Sequence, residues 1–426
     1  MDLVINKSSL KGTVSIPGSK SHTIRAVAIA SLAEGTSNIS RPLISSDTLS
    51  AVECYRALGA LIDTSDPKNW VIIGTNGKIT PPDRAINVGN SGTTLRVALA
   101  SAALAEPGGK ITFTGDEQIQ SRPLGALLTS LNDLGAAASS VKNNDMAPVT
   151  VSGKINGGKT KLKCITSQYL SSLLLAAPLA ENDTTIDVTL LNEPDYVQVT
   201  LDWLDKQGIK YENNDFKSFN IPGKQKFTAF NSSIPADFSS ATFFLCAGAI
   251  LDANITLQGL DFTDSQPDKA VADYLKAMGA NITIKKDSVN IKKSVLSGVE
   301  IDMNRTPDAL PAMAVTAAFA KTPTKLYNVA QARCKETDRI DCMAKELAKM
   351  GISVDQLPDG LIIHPGKISP TALEGYSDHR IVMALSLAAM AAEKTCSIST
   401  AEAIDITFPE YVTLMKSLGA NMELNR

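Results

Sequence analysis

Histidine is almost missing from this chain. There are three in 426 residues (His22, His364, His379), scattered and without ligand spacing, so no structural metal site is expected. A strong net charge is also missing. At −3 the chain has no overall basic field to favour nucleic acid. The six cysteines (Cys54, Cys164, Cys246, Cys334, Cys342, Cys396) include no C-x-x-C pair, and buried, reduced thiols in a cytoplasmic protein are expected. No signal peptide is expected ahead of the first strand-like segment, LVINKSSLKGTVSIPG. The longest apolar runs, such as ATFFLCAGAIL, are too short to span a bilayer, so no membrane partner is expected.

One phrase recurs: a helical run that stops at a glycine and turns into a strand. It reads ECYRALGALID, LTSLNDLGAAA, LDWLDKQGIKY, ADYLKAMGANI, AKELAKMGISV and VTLMKSLGANM. The glycines are Gly59, Gly135, Gly208, Gly279, Gly351 and Gly419, spaced by 76, 73, 71, 72 and 68 residues. Glycine just past a helix end supplies the left-handed backbone that closes the helix. Six copies of one α/β unit follow, each a small fold rather than one hairpin. Within a unit, a small-residue helix such as SHTIRAVAIASLAEG comes first, then strands such as KITFTG, then the amphipathic helix ending at glycine.

Six units divide naturally into three and three. The candidate junctions are SIPGSK at 15–20 and NSSIPADFSS at 231–240, each pairing proline with small residues. The expected lobes are 18–234 and 1–17 plus 235–426, joined by two strands that could serve as a hinge. One rigid body with two ordinary loops is the alternative.

Helix starts carry the chemistry. PGSKSHTIR sets Lys20 and Arg25 around one start, with Ser21 and Arg25 four apart on one face. GNSGTTLR does the same with Asn90, Gly92 and Arg96, and TSQYLSS and SDHR open two more helices. Free N–H groups and the positive helix end attract anions, although any one such segment could be a simple N-cap. The densest charge cluster is RCKETDR, Arg333 to Arg339, following a strand and opening an amphipathic helix. On a helix Lys335 and Arg339 are four apart, and Glu336 lies three before Arg339. Asp308, just before an apolar helix, reads equally as a cap or as a functional acid.

Eight segments together resemble the 5-enolpyruvylshikimate-3-phosphate synthase family over the whole length. They are PGSKSHTIRA (17–26), GNSGTTLR (89–96), GDEQIQSRPLG (115–125), TSQYLSSLLLAAPLA (166–180), PD (307–308), RCKETDR (333–339), SDHR (377–380) and FPEY (408–411). The resemblance implies an α/β fold of two lobes, each of three βαβαββ units around a pseudo-threefold axis, an inside-out α/β barrel. It implies transfer of the enolpyruvyl group of phosphoenolpyruvate to the 5-hydroxyl of shikimate 3-phosphate, releasing phosphate. The route is addition then elimination through a tetrahedral intermediate, with no metal or organic cofactor, in a cytoplasmic monomer. The family's inhibitor, glyphosate, occupies part of the phosphoenolpyruvate site.

By resemblance, Lys20, Ser21, Arg25, Thr166, Ser167, Gln168, Tyr196, Asp308, Gln331 and Lys335 would hold shikimate 3-phosphate. Phosphoenolpyruvate would fall to Lys20, Asn90, Gly92, Arg122, Gln168, Arg339 and Arg380. Asp308 would take the hydroxyl proton, Glu336 would protonate the methylene carbon, and Lys20 would help phosphate leave. Two polyanions must meet, which calls for fixed cations in a water-poor site. Three positions depart from the family. Ile406 stands where a lysine is frequent, Gln331 where an asparagine is usual, and Glu193 lies near where a serine helps bind phosphate. An acid there would repel phosphate unless it faces solvent, and a related acceptor is the alternative reading.

Two other families share the units. The transferase acting on UDP-N-acetylglucosamine has K-N at its first motif and a loop cysteine. This chain has Lys20-Ser21 and no cysteine in 115–125. RNA 3′-phosphate cyclases need a nucleotide site and a histidine near the C-terminus, for which His379 is the one candidate, and the modest charge argues against RNA. A non-enzymatic scaffold would have no reason to set Asp308, Glu336 and six cations at helix starts.

Overall fold

The computed structural model describes residues 1–106 and 108–425. It contains six four-stranded sheets of one topology. In each, the first strand runs parallel to the second, and the remaining pairs are antiparallel. Gly158–Cys164 pairs parallel with Thr184–Leu191, which pairs antiparallel with Ser218–Ile221, with Glu212–Asn214 at the edge. Side chains alternate as a half-buried sheet requires. Thr160, Leu162 and Cys164 point inward while Lys159, Lys161 and Lys163 face water.

The chain divides into two compact units, Gly18–Ile234 and Met1–Pro17 with Pro235–Arg426. In the first, the late strand Asn231–Ser233 completes the sheet begun by Thr36–Ser40. In the second, Ser9–Ser15 joins the sheet of Asp252–Gln258, and Asp2–Ile5 lies between Cys396–Ile398 and Met422–Asn425. Near the passages between units, the Asp237 N–H donates to the Pro17 carbonyl at 2.9 Å.

Each repeat supplies an inner and an outer helix. The inner ones are buried all round: every residue of Phe238–Ile250 and of Leu310–Ala317 is buried. Alanine-rich faces let Phe238–Ile250, Leu310–Ala317 and His379–Ala391 pack pairwise. The outer helix Arg339–Lys349 is amphipathic, with Ile340, Met343, Ala344 and Leu347 inward and Lys345 outward. After the outer helices, Gly59, Gly135, Gly208, Gly279, Gly351 and Gly419 all have positive φ, from 69° to 108°. The repeated glycine is therefore a backbone requirement in all six copies.

Two expectations need correction. Cys334 is exposed, while the other five cysteines are buried and all six are free. RCKETDR does not open the helix. Ala330–Cys334 is a 3-10 turn, Lys335 is extended, and the helix starts only at Arg339. Asp338 imposes that start by accepting the Asp341 N–H.

The glycines offer a graded test. A Cβ at Gly419 would lie 2.7 Å from the Ser9 carbonyl oxygen, whereas one at Gly208 would meet nothing within 4 Å. Gly208→Ala should cost about 1 kcal/mol from backbone strain alone. Gly419→Ala should cost more, up to about 3 kcal/mol. Denaturant unfolding of both variants would measure the difference, and equal losses would contradict the steric account.

Candidate active site

Within the 18–234 unit, the inner-helix starts gather four cations. Lys20 opens its helix and pairs with Asp47 at 2.9 Å, both largely buried. Arg25, one turn on, is 2% exposed. Its guanidinium donates to the Thr200 hydroxyl (2.8 Å), the Ser21 carbonyl (3.1 Å), the Tyr196 carbonyl (3.0 Å) and the Ser171 hydroxyl (3.4 Å). All four acceptors are neutral. Burial pulls the Arg25 pKa down to about 10, still charged at neutral pH.

The next inner helix begins at Gly92. A Cβ there would collide with the Arg122 guanidinium and lie 2.8 Å from that of Arg96. Only glycine lets both arginines close over this start. Arg96 donates to Gln168 Oε1 at 2.6 Å, and Gln168 Nε2 donates to the Thr93 hydroxyl at 3.0 Å. Asn90 donates to Asp116 and Gln118, each at 2.6 Å. The third start, at Thr166 and Ser167, is already filled. Glu193 accepts from the Ser167 hydroxyl (2.8 Å), the Ser167 N–H (3.2 Å) and the Thr166 hydroxyl (3.3 Å). Glu193 is buried rather than turned to solvent.

The other unit holds a second cluster, centred on Arg339, which is 1% exposed. Its guanidinium meets Asp378 through Nε (2.8 Å) and Nη2 (3.2 Å), Asp308 Oδ1 at 2.8 Å and Glu336 Oε2 at 2.5 Å. Asp308 also pairs with Arg380 at 3.0 Å and stands 3.7 Å from the Lys335 ammonium. Burial alone would raise the Asp308 pKa, but Arg380, Lys335 and Arg339 together hold it well below the usual carboxylate range. Asp378 is likewise held down, burial opposing and Arg339 dominating. Burial would lower the Arg339 pKa, but Asp378, Glu336 and Asp308 hold it above its ordinary value.

Asp378 caps its own helix by accepting the Arg380 N–H, so the SDHR start is also filled by an internal acid. The loop that delivers it is held by Glu346, fully buried, which accepts from the Tyr376 hydroxyl (2.7 Å) and the Glu374 N–H (2.9 Å). Tyr376 and Ser377 both take left-handed backbone there. Gln331 lies apart from the Asp308 contacts and donates to the Asn304 carbonyl at 3.1 Å. Ile406 ends a 3-10 turn, and Lys416, the nearest later cation, is exposed.

The 18–234 unit thus joins Ser21, Arg25 and Tyr196 through the Arg25 bonds, with Lys20 on Asp47, and it brings Arg122 and Arg96, the partner of Gln168, to Gly92. The second unit joins Lys335, Arg339 and Arg380 on Asp308, with Glu336 on Arg339. Sequence reading did not single out Asp47, Thr200, Ser171 or Asp378. Asp47 and Thr200 lie in none of the quoted motifs, and Ser171 stood inside TSQYLSS without a charge to mark it. Asp378 stood inside SDHR, where a carboxylate between small and basic residues was the available signal.

Buried cations at the starts of repeated α/β units define an enzyme built to handle anions. The family described as EPSP synthase (3-phosphoshikimate 1-carboxyvinyltransferase) matches residues 4–415, and the chain belongs to that family. It is 53% identical to the 3-phosphoshikimate 1-carboxyvinyltransferase of Acetivibrio thermocellus, over 99% of each chain. It is 50% identical to that of Ruminiclostridium cellulolyticum, over 100% of each. Among solved structures it is similar to EPSP synthase from Acinetobacter baumannii, with a TM-score of 0.84 at 26% identity over 100% of both chains.

Asp378→Asn leaves Arg339 short of its main partner and should cost about 3–5 kcal/mol at pH 7. Because Asp378 is depressed in the fold, its contribution is complete above about pH 4, the ordinary aspartate value, and fades as pH falls toward the folded value. The stability gap between the variant and the parent chain, read by thermal melting across pH, should therefore narrow below about pH 4. A gap that stays constant would sink this assignment.

Proposed function

We propose that the chain transfers the enolpyruvyl group of phosphoenolpyruvate to the 5-hydroxyl of shikimate 3-phosphate, releasing phosphate, in the shikimate route to aromatic amino acids. The observation that carries the mechanism is Asp308 held by Arg339, Arg380 and Lys335 with Glu336 on the same guanidinium. Arg339 and Arg380 are forked donors suited to the phosphoenolpyruvate carboxylate. In drawing them, that carboxylate would take cations from Asp308 and raise its basicity as the hydroxyl arrives. Asp308 then removes the hydroxyl proton while the oxygen bonds to the central carbon of phosphoenolpyruvate. Glu336 delivers a proton to the methylene carbon, giving the tetrahedral intermediate. Elimination breaks the carbon–phosphate oxygen bond, with Lys20 assisting and the proton on Asp308 passing to the leaving phosphate, while Glu336 takes back a methyl proton and the carbon–carbon double bond re-forms.

The first cluster supplies the rest. Arg25, whose partners are all neutral, would hold an acceptor anion together with Ser21, Ser167, Thr166 and Gln168, and Tyr196 would pack on its ring. Lys335 would hold the acceptor from the second unit, with Gln331 near it. Arg122, with Asn90, Gln168 and the Gly92 backbone, would hold phosphoenolpyruvate. The reaction calls on both units, so closure through the passages at 17–18 and 234–235 belongs to the proposal. Solution scattering should show a smaller radius of gyration with saturating ligands.

Asp308→Asn and Glu336→Gln should each lower phosphate release from the two substrates by about 10²-fold or more, with folding unchanged. Turnover like the parent's in either variant would remove that residue from the mechanism. Gly92→Ala should raise the KM for phosphoenolpyruvate and weaken inhibition by glyphosate, because its methyl group would displace Arg122 and Arg96. Unchanged values for both would mean that phosphoenolpyruvate does not approach this helix start.

A further inference from the structure

Glu193 is 2% exposed, the most buried carboxylate of the 18–234 unit among the described residues. Its backbone is left-handed, with φ 59° and ψ 48°, a conformation uncommon outside glycine. This backbone turns the chain just before the Pro194–Lys206 helix. The side chain reaches the start of another helix, Gln168–Ala176, and one oxygen, Oε2, takes three donors there. Two hydroxyls and a backbone N–H on one oxygen are what a helix start offers a phosphate oxygen. The seat is occupied by an anion of the protein itself.

Arg25 is close in the same framework. It donates to the carbonyl of Tyr196, three residues after Glu193, and to the hydroxyl of Ser171, one turn after Ser167. An acceptor phosphate drawn by Arg25 toward Thr166 and Ser167 therefore meets a carboxylate already using those donors. The phosphate must displace Glu193 from them or bind beside it. Both routes oppose like charges where little water screens them.

Building on the reaction proposed above, we infer that Glu193 is a specificity-determining residue, a resident carboxylate that loosens the hold on the acceptor phosphate. The consequence is a narrower preference for a phosphorylated acceptor over the same polyol without phosphate. The residue acts on acceptor binding and leaves phosphoenolpyruvate binding alone.

The test compares shikimate 3-phosphate with shikimate in the parent enzyme, in Glu193→Gln and in Glu193→Asn. Glutamine keeps the shape and removes the charge, and asparagine tolerates left-handed backbone. The KM for shikimate 3-phosphate should fall about tenfold in both, with the KM for phosphoenolpyruvate unchanged. The ratio of kcat/KM between the two acceptors should rise by about the same factor. An unmoved ratio, or a higher KM for shikimate 3-phosphate in folded variants, would overturn the inference, because Glu193 would then be orienting the hydroxyls for the substrate. If neither variant folds, a crystal structure of the parent enzyme with shikimate 3-phosphate decides. Glu193 should have left the Ser167 hydroxyl for the phosphate to take. Phosphate bound elsewhere with Glu193 unmoved would refute it. A parent enzyme that turns over neither acceptor would instead defeat the proposed reaction.

Discussion

A guanidinium removed from water must have its donors met, and at Arg339 three acids meet them. Asp378 accepts from Nε and Nη2, Asp308 from Nη1, and Glu336 shares Nη2, so one buried cation fixes three carboxylates in space. The dependence runs both ways. Without Arg339 the acids would repel one another and lose their ionised state to burial. With it, Asp308 is left ionised yet weakly basic, a state that an arriving anion can change by competing for the cations. In the proposed reaction the substrates would unbalance that charge.

The scaffold explains how such clusters arise from one repeated unit. Each repeat delivers an inner-helix start, and what stands there differs. Lys20 and Arg25 mark one start, and glycine with two arginines marks another. A buried glutamate fills a third, and Asp378 caps a fourth. The helices themselves are held by all-round apolar packing, which leaves their first turns free to vary. Packing and polar side chains thus occupy different parts of the inner helices: alanine-rich middles for the core, charged and hydroxyl-bearing residues at the first turns.

Much of this was legible in the sequence, for identifiable reasons. The glycine period could be read because positive φ is a local demand that one residue type meets. Motifs such as GNSGTTLR could be read because the glycine and the arginine lie within one turn. Partners brought from afar could not: Thr200 reaches Arg25 across 175 residues, and Asp308 reaches Arg339 across 31. The helical reading of RCKETDR failed because Asp338 caps the helix later than the charge spacing suggested. Nothing in the composition of residues 192–196 announces that Glu193 turns inward to bind Ser167.

The N-terminal strand Asp2–Ile5 sits between two strands from the far end of the chain, Cys396–Ile398 and Met422–Asn425. The 18–234 unit is one continuous stretch of chain and draws every strand of its sheets from within itself. The other body has to keep its first strands waiting until the last residues are made. The sheet beside Arg380's helix therefore cannot close until Met422–Asn425 has been made. A chain stopped before Met422 would leave Asp2–Ile5 with one edge unpaired, while every strand of the 18–234 unit is already made.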